Sequence, residues 1–286
     1  MPELPEVAAG RSLVQAYCVG CRVTNVNVLE MGNGPRHGLF DDIVCDLRIE
    51  SEGTPTLNQN DFVNALLNRK LISACRKGKQ IWLELDGDGP SVLFHFGMTG
   101  SFVVKGVDAA RYIAFKVHDE NWPPKFTKME ITFDNGVQLA FCDPRRLGRI
   151  RLRHGDPTAV PPISKLARDP LLDGLSFEYM KSQVTKYSTS IKAVLLDQEK
   201  VLCGIGNWIA DEVLYQSNIH PSKACNELSD EEIRNLTAKI KYVIQTAVDV
   251  DARSEDFPKD WLFHFRWSKK NGEKTSPLKM PNGIPN

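Results

Sequence analysis

The chain has 286 residues, 42% hydrophobic and 25% charged, enough for two domains with cores of their own and ordinary for a globular protein. Lys+Arg and Asp+Glu both total 36, so the net charge is zero, and a nucleic-acid partner would have to be met by locally clustered cations. No run reaches transmembrane length and residues 1–20 lack the shape of a secretory signal, so the sequence predicts an intracellular protein without a membrane span. The seven cysteines are an odd number and mostly stand singly, as reduced, buried side chains do.

Met1-Pro2-Glu3-Leu4-Pro5-Glu6 opens the chain and allows two readings. Proline at the first helical position and Glu in the first turn suit a helix start. If Met1 is removed, however, Pro2 becomes a secondary amine with a pKa near ~8, able to form an iminium with an electrophilic carbon. Glu3 beside it could then move a proton.

Val7, Leu13, Val14 and Tyr17 predict a helix over 5–17 ended by Gly20, followed by a strand over Arg22–Leu29. Cys18-Val19-Gly20-Cys21 lacks a second ligand pair for zinc and follows a helix, so it reads as packing. Residues 31–60 are broken by Gly and Pro and read as a long surface insertion.

Short β-like runs then recur at Leu71–Cys75, Gln80–Leu85, Ser91–Phe96, Ser101–Lys105, Arg111–Val117, Lys128–Phe133, Val137–Phe141 and Arg149–Arg153. Strands at this spacing predict a β-sandwich or barrel, with a hairpin turn at Asp134-Asn135-Gly136. Residues 154–174 are rich in Pro, Asp and Gly and read as a linker. Helices are predicted over 176–186, 189–198, 206–217 and 229–250, the last opened by a Ser229-x-x-Glu232 capping box. From Arg253 the chain becomes aromatic, then polar and Lys-rich.

Three stretches concentrate cations or helix-start signals. Arg76-Lys77-Gly78-Lys79 lies between two strands and reads as a hairpin tip presenting three cations. Asp143-Pro144-Arg145-Arg146-Leu147 begins as a turn, so Arg145 to Leu147 should project; Arg149, Arg151 and Arg153 read as the solvated face of a strand. An Arg beside an apolar residue on a loop could probe a nucleic-acid groove. Gly204-Ile205-Gly206-Asn207 suits a tight turn into a helix whose N-terminal N–H groups could hold a phosphate, although any helical hairpin can use Gly and Asn this way.

These motifs occur in order with Phe94-His95-Phe96-Gly97-Met98-Thr99-Gly100, with Leu196-Asp197-Gln198, and with Gly206-Asn207-Trp208-Ile209-Ala210-Asp211-Glu212 running on to Ile219-His220-Pro221. The combination resembles the formamidopyrimidine-DNA glycosylase family of base-excision repair enzymes from residue 2 to about 250. The Gly-Asn-Trp stretch and the Phe257-Pro258, Trp261, Phe263 tail resemble its plant and fungal branch. The resemblance implies an α+β fold. A β-sandwich catalytic domain with an N-terminal helix would fill 1–154, a linker 155–174 and a helical domain with a helix–two-turn–helix motif 175–252. Residues 253–286 would be an irregular basic tail, a truncated or zincless finger.

It also implies a function: removal of oxidised bases and cleavage at the abasic site by β/δ-elimination through a Schiff base on Pro2. Glu3 would be the acid/base, Glu6 would order the site, and Lys79 would stand near the lesion phosphate and sugar. His95, Arg146, Lys192 and Asn207 would contact DNA. Met98, Arg145 and Leu147 would fill the hole left by the flipped nucleotide. The partner would be double-stranded DNA with oxidised bases or abasic sites, bound by a monomer with no cofactor and no metal, located in the nucleus. The alternative is a catalytically weak lesion-binding protein of the same fold.

Several departures qualify the resemblance. Ala8 stands where Glu is usual, Leu147 replaces a Phe, 31–60 is long, and the four zinc-ligating cysteines and the Gly-Gly-Arg-Thr segment are missing. Arg266, Lys269 and Lys270 could take the place of that phosphate-gripping arginine, or simply belong to a tail. The bacterial loop that covers a flipped 8-oxoguanine is also missing, so formamidopyrimidines are expected to be excised well and 8-oxoguanine weakly.

Overall fold

The computed structural model describes residues 2–29, 59–107 and 122–266. The strand expected over Arg111–Val117, residues 31–58 of the expected insertion, and the tail with Lys269 and Lys270 lie outside the described residues. The chain divides into two compact units, one of Pro2 with Glu6–Lys165 and one of Glu3–Pro5 with Leu166 onward.

The first unit contains most of helix α1 (Leu4–Tyr17) and strand β1 (Val23–Val28). Helix α2 (Gln59–Leu66) and strands β2 (Leu71–Lys77), β3 (Gln80–Leu85), β4 (Ser91–His95) and β5 (Ser101–Val104) follow. Strands β6 (Thr127–Phe133), β7 (Gln138–Cys142) and β8 (Arg149–Arg153) complete it. Two antiparallel four-stranded sheets result, ordered β1-β6-β7-β5 and β2-β3-β4-β8, and the expected sandwich is what forms. One core lies beneath both sheets. In it Phe94 and Phe102 meet edge-on at 4.9 Å and Phe94 approaches Phe141 at 5.4 Å.

Local sequence explains how the elements reach that core. Val7 and Val14 on α1 and Cys18 just after it are fully buried, while Gly10 leaves room for the Phe96 ring, 3.0 Å from where a Cβ would stand. In β1, Val23, Val26 and Val28 all point inward despite their uneven spacing, because a register shift between Val23 and Asn25 resets the alternation. Burial pushes the Cys18 thiol up to about 12, in keeping with a packing role for the Cys18–Cys21 pair.

The opposite face of β3 and β4 is also covered. Trp82 and Leu93 pack against Ile163, which is fully buried in a 3₁₀ turn (Ile163–Lys165). The Pro-rich stretch after β8 therefore lies against the sheet up to Lys165 before the second unit begins.

The second unit is helical: α3 (Phe177–Val184), α4 (Ile191–Leu196), α5 (Asn207–Ser217) and α6 (Asp230–Asp249). Ser176 caps α3 by accepting from the Tyr179 N–H at 3.1 Å. The capping box expected at Ser229 and Glu232 forms at the start of α6. Ile191, Val194, Leu195, Ile209, Val213, Ile240 and Val243 are fully buried between the helices, and Leu4 joins them. The aromatic tail closes this core: Phe257, Trp261 and Phe263 pack on Trp208.

Candidate active site

The N-terminal motif is joined to the α5 turn. Glu3 is 2% exposed. Its Oε2 accepts from the N–H groups of Gly206 at 2.8 Å and Ile209 at 3.1 Å, and its Oε1 accepts from Trp208 at 2.9 Å. Three backbone donors at a helix start, together with the positive end of the helix dipole, hold one carboxylate. Gly206 permits this approach, since a Cβ there would fall 2.4 Å from the carboxyl group. The Leu4 N–H donates to the Gly204 carbonyl at 3.0 Å, and a Cβ on Gly204 would meet the Leu4 side chain at 2.7 Å.

This corrects the expectation that the α5 start exposes its N–H groups to a phosphate. Those of Gly206, Trp208 and Ile209 are occupied by Glu3, and Gly206 is the N-cap. Asn207 itself is exposed.

Lys192 lies in the same unit and pairs with Asp211 on α5 at 2.5 Å. Arg266 reaches the other oxygen of Asp211 at 2.5 Å and donates to the Asn207 carbonyl at 2.9 Å. Two cations therefore flank the Asn207 turn, joined through one carboxylate. The neighbouring Glu212 was not singled out from sequence. It is 1% exposed and accepts from the Phe263 N–H at 2.9 Å and from Gln216 at 2.8 Å, fastening the aromatic tail to α5. Burial holds its carboxyl above the usual carboxylate range.

In the first unit, Pro2 is buried and Glu6, 8% exposed, sits in the first turn of α1. Lys79 occupies the β2–β3 turn, where Gly78 takes φ +55. That turn presents fewer cations than its sequence suggests. Arg76 is 6% exposed, with its Nη1 folded back onto the Gly78 carbonyl at 3.0 Å. Arg153 is likewise not part of a solvated face, being 5% exposed and bonded to the Leu152 carbonyl.

His95 pairs in register with Gln80 at the end of β4. Its Nδ1 accepts from the Gly97 N–H at 3.2 Å. Burial, with Arg151, Lys79 and Arg149 adding repulsion, holds it down to about 4, so at neutral pH the ring is uncharged and Nε2 carries its proton. A neutral N–H donor among cations suits an anionic oxygen.

Two loops bring Met98, Arg145 and Leu147 to the surface. Met98 is 39% exposed and Leu147 41%, both large apolar side chains, and Arg145 is exposed between them in sequence. Arg146 takes φ 52, a left-handed conformation that turns the loop tip. The fully buried carboxylate of Asp143 anchors this loop.

The sequence carries no cysteine after Cys225, and among the described residues no cluster of His, Cys, Asp or Glu could hold a metal ion. No helix among them is long and apolar enough to cross a membrane.

Comparison with known proteins places these features in a family. Residues 1–150 match the model of the formamidopyrimidine-DNA glycosylase N-terminal domain, and residues 166–258 match that of the formamidopyrimidine-DNA glycosylase H2TH domain. The chain is similar to a formamidopyrimidine-DNA glycosylase of Arabidopsis thaliana, 41% identical over 96% of this chain, and spans 64% of that relative's length. It is 30% identical over 90% of its length to one from a Nocardioides species, covering 77% of that protein.

Solved structures share the fold. MutM (Fpg) from Thermus thermophilus superposes with a TM-score of 0.64 at 23% identity, over all of this chain and 84% of that one. The Lactococcus lactis enzyme bound non-covalently to DNA containing an abasic site gives 0.67 at 23%, over 88% of this chain and 84% of that one. With two family models matched in order along it, the chain belongs to the formamidopyrimidine-DNA glycosylase family.

Proposed function

We propose that the chain excises oxidised bases from double-stranded DNA and then cuts the strand at the resulting abasic site. The observation that carries this reading is the Glu3 carboxylate, buried and fixed by three backbone donors directly after Pro2. A surface helix start would not bury the carboxylate of the residue just before it against a helix start 203 positions away.

After removal of Met1, the Pro2 nitrogen attacks C1′ of the damaged nucleotide. The bond from C1′ to the base breaks and the base leaves with a proton. Glu3, held rigidly, is the acid/base at the sugar, and Glu6 orders the site from the first turn of α1. The C1′–O4′ bond then breaks: O4′ takes the bonding pair and a proton from Glu3 as the ring opens, and the Pro2 nitrogen lone pair forms the iminium with C1′. That iminium acidifies the C2′ proton, so the 3′ phosphate departs by β-elimination and the 5′ phosphate by δ-elimination. Lys79 and neutral His95 bind phosphate oxygens in this reading, with Arg146, Lys192 and Asn207 as further backbone contacts. Met98, Arg145 and Leu147 fill the space of the displaced nucleotide. The family names of the relatives and the abasic DNA held by the Lactococcus enzyme support this assignment of substrate. Nuclear DNA is its proposed location of action.

Borohydride trapping on a duplex carrying an abasic site or a formamidopyrimidine tests the reading. The wild-type chain should form a covalent adduct and Pro2→Gly should not. Absence of an adduct from folded protein lacking Met1 would leave a lesion-binding protein of the same fold. Excision of formamidopyrimidine should exceed that of 8-oxoguanine in matched duplexes; equal rates would refute the proposed preference.

A further inference from the structure

Two side chains outside the proposed catalytic and DNA-contacting set join the loops that carry the probes. The Thr99 hydroxyl donates to Asp143 Oδ1 at 2.6 Å and lies 3.3 Å from the Arg145 N–H, which it accepts. The same Oδ1 accepts from the Arg145 N–H at 3.2 Å, and Oδ2 accepts from the Gly148 N–H at 2.7 Å. One carboxylate, 0% exposed, therefore brackets Arg145 to Leu147 on both sides and is tied to the residue following Met98.

The backbones also touch. A Cβ on Gly97, which has φ +60, would stand 2.4 Å from the Leu147 carbonyl carbon. One on Gly148 would meet Asp143 Oδ2 at 3.1 Å. Gly100 closes the first loop by donating to the Phe96 carbonyl at 2.7 Å. The two loops are far apart in sequence but fixed to each other at Thr99–Asp143 and Gly97–Leu147.

We propose that the Thr99–Asp143 hydrogen bond is a positioning latch that makes Met98, Arg145 and Leu147 enter the duplex as one rigid wedge. This rests on the reading that those three residues fill the vacated stack. The physical need is clear. Displacing a nucleotide costs a few kcal/mol of stacking and pairing. Two independently mobile loops would each lose backbone freedom on insertion, whereas loops already tied to each other have lost it beforehand. Asp143 is a poor surface ligand, being fully buried, yet its position costs a desolvated charge that the three hydrogen bonds to it offset.

The experiment uses Thr99→Val, which keeps the shape and removes the hydroxyl, and Thr99→Ser, which restores it. The full chain is mixed with a formamidopyrimidine duplex carrying 2-aminopurine beside the lesion. Thr99→Val should slow both the fluorescence rise and single-turnover excision about five- to tenfold, the kinetic loss expected for one hydrogen bond. Cleavage of a pre-formed abasic site, where no base must be unstacked, should fall less than about threefold, and this also reports a folded enzyme. Thr99→Ser should recover the fluorescence rate. Equal losses on both substrates, or none on either, would overturn the latch. Leu147→Ala separates the two layers of argument. If it slows the fluorescence rise and Thr99→Val does not, the latch is wrong and the wedge stands. If Leu147→Ala leaves the rise unchanged, the wedge reading fails and the latch falls with it.

Discussion

Glu3 Oε1 accepts a hydrogen bond from the Trp208 backbone N–H at 2.9 Å, across 205 positions of sequence. The other oxygen takes the N–H groups of Gly206 and Ile209. Both oxygens are acceptors, so Glu3→Gln turns an NH₂ group toward at least one backbone donor. The variant should lose about 1–3 kcal/mol of stability, measured by denaturant unfolding. Loss of the acid/base should lower single-turnover excision about 10²- to 10⁴-fold. Stability unchanged to within a few tenths would mean that this carboxylate does not cap α5.

The same contact makes Gly206 a second handle on Glu3. Its φ is −126, so the need for glycine here is one of space and not of backbone conformation. An alanine Cβ would fall 2.4 Å from the carboxyl group and push it off the helix start. Gly206→Ala should therefore reproduce most of the catalytic loss of Glu3→Gln. The double variant should be little worse than either single one, a non-additivity that a double-mutant cycle reads directly. Additive losses would show that Gly206 acts independently.

Much of this was legible in sequence, for physical reasons that differ by element. The β-strands announced themselves because turn residues punctuate alternating runs. The α6 start is marked by a local motif, Ser229-x-x-Glu232, that forms as written. Helix α2 was hidden behind a Gly- and Pro-containing stretch, although Phe62 and Leu66, both buried, show the four-residue spacing that could have revealed it. The Glu3 cap was not legible, because nothing local to Glu3 or Gly206 records a pairing over 203 positions. Nor was the fate of Arg76, which turns back onto its own hairpin instead of facing outward.

His95 gives a pH signature. Its folded value of about 4 lies below the ordinary imidazole range, chiefly through burial, with Arg151, Lys79 and Arg149 repelling a further positive charge. Between about pH 6.5 and 4 the unfolded chain binds the proton that the folded chain refuses. The associated stability is present above pH 6.5 and is lost as pH falls toward 4, by up to about 3 kcal/mol. His95→Gln should flatten the fall in stability with acid by close to one proton. An NMR titration showing an imidazole midpoint near 6.5 would contradict this.

Glu212 should govern the aromatic tail. Its carboxylate holds the Phe263 N–H at 2.9 Å at the start of the 3₁₀ turn Leu262–Phe265. Because burial raises its folded value, its charge costs stability as pH rises past the ordinary carboxylate range, and the bond to Phe263 opposes that cost. Glu212→Ala removes the buried acceptor of the Phe263 N–H, a loss of about 1–3 kcal/mol. Trp261, 2% exposed and 6.4 Å from Trp208, should become quenchable by iodide in the variant. An unaltered quenching curve would show that the aromatic contacts alone hold the tail.

Lys192 and Arg266 share the Asp211 carboxylate, each at 2.5 Å, so the three groups together carry one net positive charge beside the Asn207 turn. Each phosphate neutralised by a cation contributes about −0.9 to the slope of log affinity against log salt. If Lys192 binds a DNA phosphate, Lys192→Ala should make that slope shallower by about one unit. Asp211→Asn works in the opposite direction: it removes the competing anion, frees charge for the phosphates and should steepen the slope by up to about one unit. Affinity at low salt should rise accordingly. Titrating an abasic-site duplex by fluorescence anisotropy at several salt concentrations measures all three slopes. A shallower slope for Asp211→Asn would show that Asp211 is needed to hold the two cations in place and is not a competitor for them.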